Sequence, residues 1–193
     1  SFIRNRRMQK WFDTFVSECM INRTSEGFAV PTASFNVVYQ MAHLFEHYFE
    51  GGIGLRQMMD YHFTLKAWQK EIMEWKSQQS QGMWSEGLGT PVMSAREVMA
   101  VLRSFGMGKF AAAVMYVLQE AFAMPTHYYI CEPNEREGRK LLAEIMQGGN
   151  CGQYATRDAA LKKGGMVKHG LWKLKRVMRL VRSYPEEALW EPV

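Results

Sequence analysis

The 193 residues include 24 Lys or Arg and 19 Asp or Glu, a formal charge of +5, and 47% of them are apolar. This composition is typical of a globular domain and excludes a chain that is disordered throughout. The longest apolar run, 110–118, is too short to cross a bilayer. The 3 cysteines are an odd number without a CxxC pair, which argues against a disulfide framework. We therefore expect a soluble protein in the reducing cytoplasm.

Apolar residues recur at intervals of three and four in nearly every segment, which predicts an all-α fold. We expect one helical domain over residues 1–193, an irregular bundle of about seven helices with little or no sheet. The predicted helices cover residues 4–21, 34–49, 55–78, 94–106, 109–123, 134–148 and 167–182. A glycine-rich connection is predicted at 77–91, a short strand without a partner at 127–131, and irregular structure at 150–165.

Several helix ends carry recognisable signals. Ser94 and Glu97 have the spacing of a capping box, in which both side chains bind backbone N–H groups of the first turn. Asn134 is a suitable N-cap for the helix that ends at the glycines of 148–149. The glycines of 51–54 allow the chain to reverse tightly between the second and third helices.

The second predicted helix is apolar around most of its circumference, as expected of a central helix. At 100° per residue its polar residues form one stripe about 80° wide. The members of this polar stripe are Asn36, Gln40, His43, His47 and Glu50. Three interpretations stay open: a thin solvent-exposed face, histidines that are hydrogen-bonded inside the core, or a polar groove that faces a ligand or another domain.

The same helix contains the pattern HxxEH over His43, Glu46 and His47, the inverted order of a zinc-protease motif. Two histidines at i and i+4 project together, as a shared metal ion requires. A third ligand is also needed, and Glu120 has no supporting motif around it. A metal-dependent hydrolase is therefore an alternative function, and we expect no tightly bound zinc at the two histidines.

Arg56 and Asp60 stand at i and i+4 directly after the glycine turn. They form either a surface pair worth about 0.2–0.5 kcal/mol or an ion pair that holds Arg56 ready for a phosphate or carboxylate. The reversal of the chain is expected to bring both residues close to the end of the polar stripe. The turn is not a phosphate-binding loop, because it lacks the pattern GxxxxGK[ST].

The last predicted helix is basic and amphipathic, and residues 162–182 contain no acidic residue. Its basic face consists of Lys168, Lys175, Arg176, Arg179 and Arg182. A docked helix with a solvated basic side explains this pattern, and a surface that contacts the phosphates of a nucleic acid is an alternative. A helix on a membrane surface is a third interpretation.

Two adjoining segments resemble a bacterial family described as uncharacterised nucleotidyltransferases, in its Bacteroides-type members. They are FNVVYQMAHLFEH at 35–47 and EGGIGLRQMMDY at 50–61. Similar segments occur at 5–12, 144–150 and 184–192, so the resemblance covers most of the chain in order.

The resemblance implies that these helices form the C-terminal, substrate-binding or lid part of a longer protein. A catalytic α/β domain similar to polymerase-β-type nucleotidyltransferases is then expected upstream, where it would bind Mg²⁺ and a nucleoside triphosphate. The substrate-contacting residues expected here are His43, His47, Arg56, Asp60, Gln40 and Asn36. This chain has no Asp-x-Asp pair to hold two Mg²⁺ ions, so we expect it to transfer no nucleotide by itself.

Overall fold

A computed structural model describes residues 6–19, 24–50, 52–80, 92–148 and Met178. These residues are 78% helical and contain no sheet, which confirms the predicted all-α class. The helices are α1 (Arg6–Cys19), α2 (Ala33–Glu50), α3 (Leu55–Ser80), α4 (Ala95–Ser104), α5 (Gly108–Phe122) and α6 (Glu135–Gly148). Residues 77–80 of the predicted connection at 77–91 are helical instead, because α3 continues to Ser80. Residues 81–91, the irregular segment at 150–165 and the helix at 167–182 lie outside the described residues, apart from helical Met178.

Helix α1 packs on α2 through aromatic rings. Trp11 stacks on Phe15, with ring centroids 4.2 Å apart, and lies 6.0 Å from Phe35 of α2. Phe12 presents its ring edge-to-face to Phe35 and Tyr39, at 5.7 Å each. Edge-to-face and offset contacts of this kind stabilise beyond the area they bury. The aromatic residues of α1 therefore form the face that docks on α2.

Helices α2 and α3 form a hairpin closed by the glycine turn. Gly52 has a positive φ of 93°, and its N–H donates to the carbonyl of His47, which ends α2. The N–H of Gly54 donates to Oε1 of Gln57, so a side chain satisfies a backbone donor at the start of α3. Because so short a connection joins them, the two helices run antiparallel.

Two side-chain hydrogen bonds join this hairpin to the chain before α4, and Glu71 links its two helices. Trp68 of α3 donates from Nε1 to the carbonyl of Met93, and the N–H of Met93 donates to Oγ of Ser34. The Glu71 carboxylate accepts from the backbone N–H groups of Ala33 and Ser34, at the first turn of α2. The predicted capping box at Ser94 and Glu97 is confirmed, and it begins α4 directly after Met93.

Helix α5 is largely buried. Phe110 and Ala111, together with the stretch from Ala113 to Leu118, are buried. The helix ends at Ala123, which adopts the left-handed conformation with φ 48° and ψ 41°. The predicted strand at 127–131 is wrong, since Thr126–Tyr128 form a 3₁₀ turn instead. The carbonyls of Pro125 and Thr126 accept from the N–H groups of Tyr128 and Tyr129, so the backbone is turned there and not extended as a strand requires.

Helix α6 packs closely on α5. Its predicted N-cap is confirmed, because Oδ1 of Asn134 accepts from the N–H of Glu137. The N–H of Asn134 donates to the carbonyl of Ala112, which fixes the entry of α6 against α5. Gly138 faces Tyr116 so closely that a Cβ at 138 would lie 2.4 Å from the tyrosine Cβ. None of the helices in the described residues is long and apolar enough to span a membrane.

Candidate functional site

The two histidines of α2 contact each other directly. Nε2 of His43 lies 3.1 Å from Nε2 of His47, a hydrogen-bond distance in which one ring donates and the other accepts. The ring centroids are 4.3 Å apart and the planes meet at 79°. Both side chains are half-buried. The sequence prediction that the pair projects from one side of the helix is therefore confirmed.

A row of rings leads along α2 to this pair. Phe35 stacks on Tyr39 with centroids 5.7 Å apart, and Tyr39 stacks on His43 at 6.1 Å with 6° between the planes. Tyr39 is 38% exposed, so its ring shields the outer face of the row. The sequence prediction did not include this row of rings. The spacing of four between 35, 39, 43 and 47 was the signal for this row.

The polar stripe borders α3 as well as solvent. Oε1 of Gln40 accepts a hydrogen bond of 2.8 Å from the hydroxyl of Thr64, which also donates to the carbonyl of Asp60. Asn36 is half-buried one turn earlier on the stripe. In an antiparallel hairpin, the pairing of Gln40 with Thr64 puts His43 level with residues 60–61 and His47 level with residue 57.

Arg56 and Asp60 occupy the first turns of α3, and both side chains are exposed. No ion pair between the described residues joins them, so the predicted Arg56–Asp60 ion pair is not formed. The physical reason is weak attraction, because an exposed pair of this kind gains only about 0–1 kcal/mol and must immobilise two side chains. Arg before Asp is also the less favourable order along a helix dipole. The Arg56 guanidinium is left unpaired by Asp60 at the start of the hairpin.

Within the described residues, no third metal ligand accompanies the histidines. The described residues contain no group of three His, Cys, Asp or Glu side chains placed to hold a metal ion. Glu46 is half-buried on α2 and Glu120 is exposed near the end of α5. The hydrolase alternative of the sequence analysis therefore finds no complete zinc site within the described part of the chain. The side chain of Glu50, the last member of the polar stripe, lies outside that part.

A fully buried tyrosine and a half-buried glutamate of α3 lie on the inner side of the hairpin. Tyr61 is fully buried, and burial holds the pKa of its hydroxyl well above the ordinary value, with a smaller contribution from Cys131. Burial also raises the pKa of Glu71, while the N–H groups of Ala33 and Ser34 act in the opposite direction. These groups face the core, so they support the hairpin rather than contact a ligand.

A cavity of about 380 Å³ lies elsewhere, between α4, the start of α5 and residues 130–132. Arg96, Arg103, Cys131 and Glu132 are the polar side chains in its lining. Burial raises the pKa of the Cys131 thiol to about 11, with Arg103 lowering it and Glu132 raising it. A thiol of that pKa is neutral near pH 7 and is a poor nucleophile.

Sequence analysis did not identify this cavity. Arg96 and Arg103 are seven residues apart, two turns of one helix, and this spacing was a visible signal that they share a face. Their meeting with Cys131 was not visible, because the cysteine comes from a distant turn after α5.

The basic residues Lys168, Lys175, Arg176, Arg179 and Arg182 lie outside the described residues, so their predicted phosphate-contacting face stays a prediction. No family model, no curated protein and no solved structure matches this chain. The described geometry defines a helical domain whose central helix carries a half-buried polar stripe with a histidine pair.

Proposed function

We propose that the chain is the helical substrate-binding or lid part of a nucleotidyltransferase-like protein of the cytoplasm. The observation that carries the proposal is the polar stripe of α2. Gln40, His43 and His47 are half-buried on a helix whose other side chains are mostly buried in the core. Burying polar side chains costs free energy unless they are hydrogen-bonded, so a stripe of this kind has a structural or a ligand-binding reason. The segments that resemble nucleotidyltransferases include the same hairpin.

Arg56 is the residue proposed to bind an anionic group. It is exposed, it begins the helix after the glycine turn, and Asp60 does not neutralise it. A guanidinium offers a planar pair of donors that matches a phosphate or a carboxylate. His47 is level with the adjacent turn of α3 and donates a hydrogen bond to the same ligand. Asp60 lies one turn further along α3, and Gln40 and Asn36 continue the polar stripe away from this position.

The catalytic step is assigned to another domain. Phosphoryl transfer by this class of enzyme needs two close carboxylates that hold Mg²⁺, and this sequence has no Asp-x-Asp pair. The nucleoside triphosphate and Mg²⁺ would therefore be held by an upstream α/β domain, with the hairpin closing over the nucleotide or its acceptor.

The exposed side of α3 supports a domain contact of this kind. Leu55, Met59 and Phe63 follow one another at intervals of four and are 40%, 42% and 58% exposed. Arg56 lies on the same exposed side. Scattered apolar residues on a surface are ordinary, but a row beside a cation is typical of a contact surface. We assign this row to the interface with the catalytic domain.

The test is to replace Arg56 with Lys in the full-length protein that contains this chain. The substitution keeps the charge and removes the fork of donors, so binding of a nucleoside triphosphate or of the acceptor should weaken about tenfold, the equivalent of one charge-assisted hydrogen bond. Calorimetry measures the binding, and urea unfolding measures the stability. The matched control is Arg136→Lys, at an arginine that is 84% exposed and lies near Glu137 of α6.

Weaker binding at unchanged stability supports the proposal, provided that Arg136→Lys binds normally. Normal binding by Arg56→Lys would contradict it. A loss of stability with normal binding would assign Arg56 a structural role only.

A further inference from the structure

We propose that His43 and His47 together bind one divalent transition-metal ion reversibly, as a two-point chelate on α2. The observation is the 3.1 Å separation of their Nε2 atoms. Two nitrogens at that separation can each lie about 2.05 Å from one ion, with an N–metal–N angle of about 98°. That angle falls between the angles of square-planar and tetrahedral coordination, so the backbone of α2 needs no movement.

The two imidazoles are held in place before an ion arrives. The ring of His43 is parallel to that of Tyr39, which is itself stacked on Phe35. The next residues of the helix, Leu44 and Phe45, are buried in the core and fix the rotation of α2. Ligands that are already ordered lose little conformational entropy on binding, which favours chelation by both rings together.

The ligand set selects the class of ion. Neutral imidazoles suit Zn²⁺, Ni²⁺ and Cu²⁺, whereas Mg²⁺ and Ca²⁺ take oxygen ligands. Among the first-row ions the affinity is expected to be highest for Cu²⁺. Because both histidines are half-exposed, water or an oxygen of a small molecule can reach the remaining coordination positions. Such an ion exchanges easily, in contrast to the closed four-ligand zinc of a structural site.

Metal binding changes the tautomer of one ring but not the charge of the pair. In the hydrogen-bonded pair one Nε2 carries the proton and the other provides the lone pair. Coordination needs the lone pairs of both Nε2 atoms. The donating ring therefore moves its proton from Nε2 to its own Nδ1, and a small rotation of the rings turns both lone pairs towards the ion.

The experiment titrates the 193-residue chain with CuCl₂ and with ZnCl₂, in the absence of any nucleotide. Calorimetry gives the stoichiometry and affinity, and electron paramagnetic resonance of the copper complex counts the nitrogens bound to the ion. The variants are His43→Ala and His47→Ala. The matched control is His127→Ala, at an exposed histidine of the 3₁₀ turn. Circular dichroism checks that each variant is helical.

We expect one equivalent of metal, two equatorial imidazole nitrogens on copper, and no competition by Mg²⁺. Either variant should lower the affinity tenfold or more, on the order of the loss seen when a supporting residue of a metal site is removed, while His127→Ala leaves it unchanged. The proposal is overturned if copper shows a single imidazole nitrogen, or if His47→Ala binds like the wild type. If a variant is unfolded, the nitrogen count on the wild type decides. Since no nucleotide is present, failure here leaves the nucleotidyltransferase proposal intact.

Discussion

Replacing Gly138 with Ala tests how closely α5 and α6 approach each other. A Cβ at this position would lie 2.4 Å from both Cβ and Cδ1 of Tyr116 and 2.5 Å from its Cγ. The Cβ of Tyr116 is attached to the backbone and cannot rotate away, so the two helices must separate. Separation loosens the buried contacts of Leu141 and Ile145 on the same helix.

Two opposing terms set the size of the effect. Alanine gains about 1 kcal/mol of helix propensity over glycine. Overpacking of a close helix contact costs about 1–3 kcal/mol and sometimes more. At the upper end of that cost, a net destabilisation of about 1–2 kcal/mol is expected, equivalent to a fall in Tm of roughly 2–8 °C for a domain of this size.

The assay is urea unfolding followed by circular dichroism, with Gly108→Ala as the matched control. A Cβ at Gly108, the first residue of α5, meets Arg103 at 2.9 Å, but through Cγ of a long side chain that can move. Gly108→Ala should therefore be neutral or stabilising. Tyr116→Ala should not fully rescue Gly138→Ala, because alanine keeps the Cβ. A Gly138→Ala variant as stable as the wild type would show that α5 and α6 are not as close as described.

Three further outcomes are expected. Burial raises the pKa of the Glu71 carboxyl in the folded state above 4.5. The protonated carboxyl therefore stabilises the fold below the unfolded-state pKa, and this stabilisation is lost as the pH rises through the folded-state pKa. Urea unfolding from pH 4 to 7 should therefore show the wild type losing stability relative to Glu71→Gln, and parallel pH profiles of the two proteins would contradict this. Burial raises the pKa of the Cys131 thiol from 9.0 to about 11. At pH 8 this thiol should therefore react with iodoacetamide on the order of a hundredfold more slowly in the folded chain than in urea. Peptide mass spectrometry gives the two rates, and equal rates would refute the assignment. Ala123→Gly should stabilise the fold by up to about 1 kcal/mol in thermal unfolding, because its left-handed conformation is strained for alanine; a lower Tm would contradict this.

Much of the helical framework could be predicted because its signals are local. Apolar residues at intervals of three and four predicted α1 to α6, and the capping residues Ser94 and Asn134 predicted where α4 and α6 begin. The strand predicted at 127–131 was wrong because strand formation depends on a distant partner and not on local signals alone. Aromatic and β-branched residues in a short run favour a strand only when another strand is available to pair, and the described residues provide none.

The candidate site was predictable in part. Four-residue spacing brought His43 and His47 together on one helix, as expected. The hydrogen bond from Thr64 to Gln40 joins two helices, and no spacing within either helix indicates it. The Arg56–Asp60 ion pair was predicted from spacing alone, and it is not formed because solvent competes with an exposed pair. Contacts between distant segments, including the cavity beside Cys131, depend on tertiary packing that local patterns do not specify.

The apolar circumference of α2 has a consequence for the order in which the fold opens. Val37, Val38 and Met41 have no exposed surface, and α2 contacts both α3 and α4. Its amide protons can therefore exchange with solvent only when those neighbours also open, so they should report the free energy of global unfolding. Helix α1 docks on α2 through a few aromatic rings, so we expect its amide protons to exchange faster. The polar stripe therefore lies on a helix that we expect to exchange slowly, so the histidine pair should stay in place when α1 opens locally.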